Sequence, residues 1–312
     1  MVKYYLCPPV DELRLARAVR PLVLEFDGCV PDIDRLIVLT RERGLEVSTM
    51  ALYEALRTHP DNAGFIARIE REPIGGAPTG AKILAVPALF YQHYPETGGD
   101  AALSIGIARE CGFEVETIPI LSLGTVTDNA RIIRDHLEGE RAERIWMLTA
   151  SKGGADFRAC LQTFAEAAVL DRVAGWINIC GLVGGCDIAD FDIATPARRL
   201  KFQAICRALG TRFDLLRELS TAHEYWRQPL CLPHGMQVFN LTAIPLPSHV
   251  QTSLMNRYLS ISERGPNDGM VACRRTVIDS GLTIPLLGYD HFFRGPQVTP
   301  LLYRFFSYLS RQ

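Results

Sequence analysis

The sequence has no apolar run long enough to cross a membrane. Its apolar stretches, such as 145–148 and 237–244, have the length of strands and fall well short of about 18 residues. Near the start, a brief apolar stretch is broken by Pro8 and Pro9, so it lacks the apolar core of a secretory signal. We therefore expect a soluble protein with no transmembrane segment and no export.

The sequence also lacks a disulfide framework. Its nine cysteines are scattered without a CxxC pair. An odd count in a chain of 312 residues argues against structural disulfides. A reducing cytoplasm is the predicted location.

Charge of one sign is not concentrated anywhere in the chain. The formal net charge is -2, and no long block of like charge occurs. A nucleic-acid-binding protein or a polybasic membrane anchor would show such a block, so no nucleic-acid partner is expected. Apolar residues make up 48% and charged residues 22%, which is typical of a folded soluble protein.

The signatures of metal and cofactor binding are missing as well. The sequence has no HExxH motif, no clustered His and Cys spacing and no dinucleotide-binding fingerprint. The spacing of Gly75 and Gly80 resembles a phosphate-binding loop, but Ala81 stands where that loop needs a lysine, so a plain connector is favoured. No metal and no cofactor are predicted.

The chain is predicted to have two parts. In roughly the first 72 residues, apolar positions recur at helical spacing, and Pro21, Pro31 and Pro60 divide them into three or four short helices. The segment 71–82 is rich in glycine and proline, which is typical of a linker. We therefore predict an N-terminal helical extension with its linker over 1–78 and a main domain over 79–312.

The main domain alternates between short β-branched strands and helices, which is typical of a parallel sheet covered on both faces. A long segment, 182–235, interrupts the alternation with two predicted helices. The predicted fold class is α/β, a mostly parallel doubly wound sheet with a helical insertion. Strands are predicted at 82–86, 114–120, 144–149, 173–180, 237–243 and 283–287, and helices at 101–111, 126–137, 155–169 and 301–309.

The sharpest local signal is the segment 145–154, an apolar strand that runs into a serine and then into a helix. A tight strand-to-helix turn strains its central residue, and the residues two positions away must be small to let the backbones pass. Gly153 meets this requirement, whereas Thr149 stands where glycine is usual. The turn makes Ser151 a candidate nucleophile and the Lys152 N–H a candidate oxyanion donor. The alternative is that Ser151 only caps the helix.

A catalytic serine needs a base and an acid that orients the base, in the chain order Ser, Asp, His for this kind of turn. Asp268 lies in a turn after the 237–243 strand, and His291 follows the last strand. The rival acids are weaker, because Asp290 adjoins His291 and Asp279 precedes the final strand. The rival bases all precede Asp268 and break the order: His93, His223, His234 and His249.

With these motifs in place, residues 82–312 resemble the α/β-hydrolase superfamily, and more narrowly its lipase and esterase members. In that group an Asn-Asp-Gly-hydrophobic-Val turn commonly carries the acid, as at 267–271, and an Asp-His-hydrophobic segment carries the base, as at 290–293. The resemblance implies an eight-stranded ancestral sheet, an acyl-enzyme mechanism and a lid, here about 182–235. It does not extend to residues 1–78.

The resemblance also implies a second oxyanion donor in the loop after the first core strand, 86–92. Ala88 occupies the position of the usual glycine, so the N–H of Leu89 or Phe90 is the expected donor. The alternative is that Leu89 and Phe90 are simply core residues.

The substrate pocket is predicted at the carboxyl edge of the sheet, where doubly wound folds bind ligands. Leu182 and Val183 follow a strand there and are predicted to line the pocket floor. The apolar residues of the lid favour an acyl chain or another apolar group as substrate, and they fit a helix packed on the core equally well. They are Leu200, Phe202, Ile205, Leu209 and Phe213.

The sequence therefore predicts a serine hydrolase that cleaves a carboxylic ester through Ser151, His291 and Asp268, with a small-molecule acyl ester or thioester as substrate. A thioesterase or acyltransferase acting on a carrier-bound acyl group uses the same triad and stays open. A second alternative is a non-catalytic binding protein with this fold. The N-terminal helices are candidates for a homodimer contact, a partner-docking module or a pocket cover.

Overall fold

The computed structural model describes residues 10–164, 168–295 and 298–312. The described chain begins with four helices: α1 (Glu12–Leu24), α2 (Ile33–Arg43), α3 (Leu45–Thr58) and α4 (Pro60–Arg71). Pro60 opens α4, where its missing N–H is harmless. Pro21 lies inside α1 rather than between helices, because Val19, Leu22 and Val23 pack into an apolar cluster with α3 that offsets the lost hydrogen bond.

A single parallel sheet follows. Its strands are β1 (Lys82–Val86), β2 (Glu114–Thr117), β3 (Ile145–Ala150), β4 (Val173–Ile179), β5 (Gln237–Ile244) and β6 (Leu282–Leu287). Their order is β2-β1-β3-β4-β5-β6, and every neighbouring pair is parallel, which confirms the predicted fold class. The described residues form six strands rather than the eight that the resemblance implies, because the segment before β1 folds into helices.

Helices cover both faces of this sheet. The remaining helices are α5 (Ala102–Glu110), α6 (Val126–Gly139), α7 (Lys152–Phe164), α8 (Asp187–Ile193), α9 (Pro196–Ala208), α10 (Asp214–Leu219), α11 (Glu224–Arg227), α12 (Thr252–Ser260) and α13 (Val298–Leu309). α6 and α7 share one core with the sheet, while α4, α5 and α13 share the core on the other face. α7 covers 155–164 of the predicted 155–169 helix and begins earlier, at Lys152. Residues 165–167 of that prediction lie outside the described ones, and a 3-10 helix begins at Ala168.

The insertion between β4 and β5 contains four helices, α8 to α11, where two were predicted. α10 and α11 have 6 and 4 residues, too few to show a periodic apolar pattern in the sequence. Of the two readings left open for the apolar residues of this insertion, packing on the core does not apply to Leu200, Ile205 and Leu209, because these side chains are exposed to solvent.

The N-terminal helices α3 and α4 pack against β6, the last strand of the sheet. The side-chain oxygen of Asn62 on α4 accepts a hydrogen bond from the Thr283 N–H of β6 at 2.8 Å. An edge strand presents unpaired N–H groups, so this contact satisfies one of them and covers the edge. The predicted boundary at residue 79 and the proposed roles of 1–78 stay predictions.

No helix in the described part of the chain combines the length and apolar character that a membrane crossing requires. Every described cysteine, from Cys29 to Cys273, is unpaired. The predicted cytoplasmic location stays a prediction.

Candidate active site

Ser151 lies in a one-residue turn between the end of β3 at Ala150 and the start of α7 at Lys152. Its φ is 50°, in the left-handed region that a non-glycine residue rarely adopts. The turn brings Gly153 against the preceding loop so closely that a Cβ there would lie 2.3 Å from the Val86 carbonyl oxygen. The predicted strained turn is therefore present, and only glycine fits at position 153.

Thr149 departs from the usual glycine without disturbing the turn. Its side chain is buried in the core, where the hydroxyl accepts a hydrogen bond from the Trp176 indole N–H at 2.8 Å. On the side of the turn that faces the loop after β4, the close backbone approach falls at Gly154, where a Cβ would lie 2.8 Å from the Gly181 Cα. A threonine is therefore accommodated at 149 because its polar atom is satisfied and the approach occurs elsewhere.

The structure brings Ser151, His291 and Asp268 together in one hydrogen-bonded chain. Ser151 Oγ lies 2.7 Å from His291 Nε2, and His291 Nδ1 lies 2.7 Å from Asp268 Oδ2. Because a carboxylate only accepts, Nδ1 is the donor, and Nε2 is left to accept the serine proton. Asp268 and His291 are buried and Ser151 is half-buried, so the serine hydroxyl stays reachable.

The turn that carries Asp268 is built by its neighbours. Asn267 accepts the Gly269 N–H at 3.0 Å, and Gly269 has a φ of 100°, a conformation that suits glycine. The second oxygen of Asp268 accepts the N–H groups of Met270 and Val271 at 2.9 and 3.0 Å. These bonds fix the carboxylate with one oxygen free for the histidine.

The rival acids have other partners. Asp290 is buried and accepts the Gln251 N–H at 2.9 Å and the Phe292 N–H at 3.2 Å, so it anchors the His291 loop to the segment after β5. Burial raises the pKa of Asp290, and those two N–H groups oppose the rise. Asp279 forms an exposed ion pair with Arg274.

The rival bases lie elsewhere too. His93 contacts the Ser122 hydroxyl, and His249 accepts the Leu246 N–H and contacts Glu12. Within the described chain, His291 is the histidine that contacts Ser151.

Among the described residues, the backbone N–H groups of Lys152 and Leu89 have no hydrogen-bond partner. Ala88 donates its N–H to the Gly99 carbonyl at 2.7 Å, and Phe90 donates to the Ser122 carbonyl at 3.0 Å. Phe90 was an expected oxyanion donor, and this expectation is wrong because its N–H is already used. Leu89 therefore remains the candidate for the second oxyanion donor. It lies on the loop that begins at Pro87, which approaches Gly153 closely.

Leu182 and Val183 lie next to the nucleophile. The Leu182 N–H donates to the Ser151 carbonyl at 2.9 Å, and both side chains are buried in the core below the insertion. Arg158 on α7 donates to the carbonyls of Val183 and Gln228, the latter at 2.6 Å, and so ties both ends of the insertion to α7. Contact of Leu182 and Val183 with a substrate stays a prediction.

The sequence interpretation missed one feature, a buried ion pair behind the nucleophile. Lys152 Nζ lies 2.6 and 2.8 Å from the two Asp156 oxygens, and Asn129 donates to Asp156 at 2.8 Å. Burial raises the pKa of Asp156 to about 6, with the Lys152 ammonium opposing the rise. The available signal was the spacing of a lysine and an aspartate four positions apart on one helix.

A second cluster of ionisable groups lies at the opposite end of the sheet. Atoms of Glu116, His136 and Glu140 lie within 4.8 Å of one another, a spacing that a metal ion can use. The Lys82 ammonium already occupies the middle of this group, 2.6 Å from Glu116 and 2.7 Å from Glu140. The cluster is therefore a network of ion pairs around a lysine.

Two solved structures superpose on most of this chain. The metagenomic carboxyl esterase MGS0156 superposes with a TM-score of 0.58 at 16% identity over 77% of each chain. The mature lipase BlEst2 of Bacillus licheniformis has a TM-score of 0.54 at 18% identity, over 74% of this chain and 96% of the lipase. Neither a protein-family model nor a curated protein sequence matches the chain. The likeness shows that the chain has the α/β-hydrolase fold.

Proposed function

We propose that this protein is a serine hydrolase that cleaves carboxylic esters. The observation that carries the proposal is the hydrogen-bonded chain from Ser151 through His291 to Asp268, at 2.7 Å in each link. A serine in a strained turn, an imidazole with a free acceptor nitrogen and a buried carboxylate are the parts that nucleophilic catalysis needs. The two superposed proteins are a carboxyl esterase and a lipase, which supports esters as the substrate class.

The geometry supports a two-step reaction. His291 Nε2 takes the proton of Ser151 Oγ while the oxygen attacks the ester carbonyl. The resulting oxyanion accepts hydrogen bonds from the N–H groups of Lys152 and Leu89, and its collapse expels the alcohol, which receives the proton from His291. Water then attacks the acyl-serine with His291 again as base, which releases the acid and restores Ser151.

The test is ester hydrolysis by the native chain and its variants. With p-nitrophenyl acetate, butyrate and octanoate, the native protein should turn over. Ser151→Ala and Asp268→Asn should lower kcat/KM by about 1,000-fold or more. Ser260→Ala removes an exposed hydroxyl on α12 and should stay within about twofold of native. Hydrolysis that survives in Ser151→Ala would overturn the proposal.

A further inference from the structure

The ion pair of Lys152 and Asp156 is unusually well buried. Both side chains are almost wholly inaccessible, at 1% and 0% relative exposure. Two charges removed from water lose more hydration than their attraction returns unless the geometry is excellent, and apolar replacements of such pairs are often neutral or stabilising. Stability alone therefore does not account for a buried lysine directly after the nucleophile.

The pair is the start of a chain of contacts in which hydrogen bonds are joined by one peptide unit, Leu121–Ser122. Asn129 donates to Asp156 at 2.8 Å and also binds both backbone groups of Leu121, accepting its N–H at 3.0 Å and donating to its carbonyl at 3.1 Å. The next residue, Ser122, accepts the Phe90 N–H at 3.0 Å. The chain thus runs from the start of α7 through α6 to the loop that carries Leu89 and Phe90.

This chain begins at the Lys152 ammonium and ends at the Phe90 N–H, so each end lies on or next to a residue whose backbone N–H is a proposed oxyanion donor. Lys152 contributes its backbone N–H at one end, and Leu89 precedes the Phe90 N–H that is held at the other. Oxyanion donors act only when they lie about 2.7–3.1 Å from the position of the developing charge. A displacement of 1 Å at such a site is enough to cost about 100-fold in rate.

We propose that Lys152, Asp156 and Asn129 are positioning residues that fix the spacing between the Lys152 and Leu89 N–H groups. This role rests on the proposed esterase function. The charges give the network a single arrangement, because Lys152 Nζ and Asn129 Nδ2 both bind the same buried carboxylate. Apolar side chains of equal size would fill the space without holding the loop of residues 121–122.

The experiment compares Lys152→Met/Asp156→Leu with native protein. The double variant removes both charges and keeps apolar volume, so its melting temperature should stay within a few degrees of native. With p-nitrophenyl butyrate, kcat should fall by about 30- to 100-fold while KM stays within about threefold. The Ki of a trifluoromethyl ketone, whose serine adduct carries an oxyanion, should rise by the same factor as kcat falls.

Two further variants make the result decisive. Lys82→Met/Glu140→Gln removes a comparable, nearly buried pair at the opposite end of the sheet and should leave kcat and Ki within about twofold of native. Asn129→Ala keeps the ion pair but cuts the link to Leu121, and it should lower kcat by about tenfold with KM unchanged. If Lys152→Met/Asp156→Leu does not fold, Asn129→Ala alone tests the positioning role.

The outcomes separate the two proposals. If native protein hydrolyses the ester and both Lys152→Met/Asp156→Leu and Asn129→Ala keep its kcat and Ki, the positioning role is overturned and the pair is only structural. If kcat falls in the Lys82→Met/Glu140→Gln control as well, the effect is general and the positioning role is again overturned. Native protein without any esterase activity overturns the proposed function itself, and the positioning role with it.

Discussion

The Thr149 hydroxyl accepts a hydrogen bond from the Trp176 indole N–H at 2.8 Å, and both side chains are fully buried. This bond joins β3 to β4 just before the nucleophile turn. It explains how a threonine stands where related turns have glycine, because the side chain points into the core and its polar atom is paired.

Thr149→Val tests this explanation. The substitution keeps the shape of the side chain but leaves the buried indole N–H without its acceptor, which costs about 1–3 kcal/mol. Urea unfolding should show a loss of that size, and kcat should stay within about threefold of native. A variant as stable as native would contradict the assigned role of the hydroxyl.

Gly153→Ala tests the close packing of the nucleophile turn. The added Cβ would lie 2.3 Å from the Val86 carbonyl oxygen and 2.8 Å from that of Pro87, so the loop that carries Leu89 must shift. We expect kcat/KM for p-nitrophenyl butyrate to fall by about 100-fold or more.

The control for that variant is Gly106→Ala in α5. A Cβ at Gly106 meets nothing within 4 Å, so the substitution should leave activity unchanged and stabilise the fold by about 0.5–1 kcal/mol. Equal activities of the two alanine variants would show that the backbone around Gly153 has room for a Cβ, which would contradict the close packing of the turn.

The ion pairs around Lys82 predict a pH-dependent contribution to stability. A hydrogen bond from Lys82 lowers the pKa of Glu140 to about 2 from its usual 4.5. A carboxyl with a lowered folded-state pKa binds protons more weakly in the folded state, so its stabilising contribution is complete above pH 4.5 and is lost as the pH falls towards 2. Urea unfolding of native protein and Glu140→Gln should therefore differ most at pH 6 and converge below pH 3. A constant difference across that range would contradict the assignment.

The hydrogen bonds of Arg158 are expected to anchor the insertion between β4 and β5 to α7. Arg158 donates to the carbonyls of Val183 and Gln228, so Arg158→Met leaves both carbonyls without this donor. Thermolysin should then cleave the native-state protein faster within 194–235. Arg212→Met removes an exposed ion pair from the same insertion and should not change the cleavage rate. Equal cleavage rates for the two variants would show that Arg158 does not anchor the insertion.

Much of the sheet and the order of the three central residues were predictable from the sequence. Ser151 and His291 each follow a β-branched strand and Asp268 lies beyond β5, and in a parallel sheet the carboxyl ends of strands meet at one edge. The strand assignment therefore placed the three side chains at the same edge of the sheet, and the structure brings them within hydrogen-bond distance.

The rest depended on contacts that local patterns do not encode. Phe90 was excluded as an oxyanion donor by a carbonyl on another loop, that of Ser122. The network of Lys152, Asp156 and Asn129 joins two helices, and nothing in the spacing of α6 indicates that Asn129 faces α7. The short helices of the insertion are set by tertiary packing, since four to six residues carry too little periodicity.

The central claim is that Ser151 is a nucleophile activated by His291, and labelling with a fluorophosphonate probe tests it most directly. Native protein, Ser151→Ala and His291→Gln are each treated with the probe, and the adduct is located by mass spectrometry. The account predicts one adduct, on Ser151, that disappears in Ser151→Ala and forms far more slowly in His291→Gln. Folded native protein that takes up no probe, or an adduct that persists in Ser151→Ala, would contradict it.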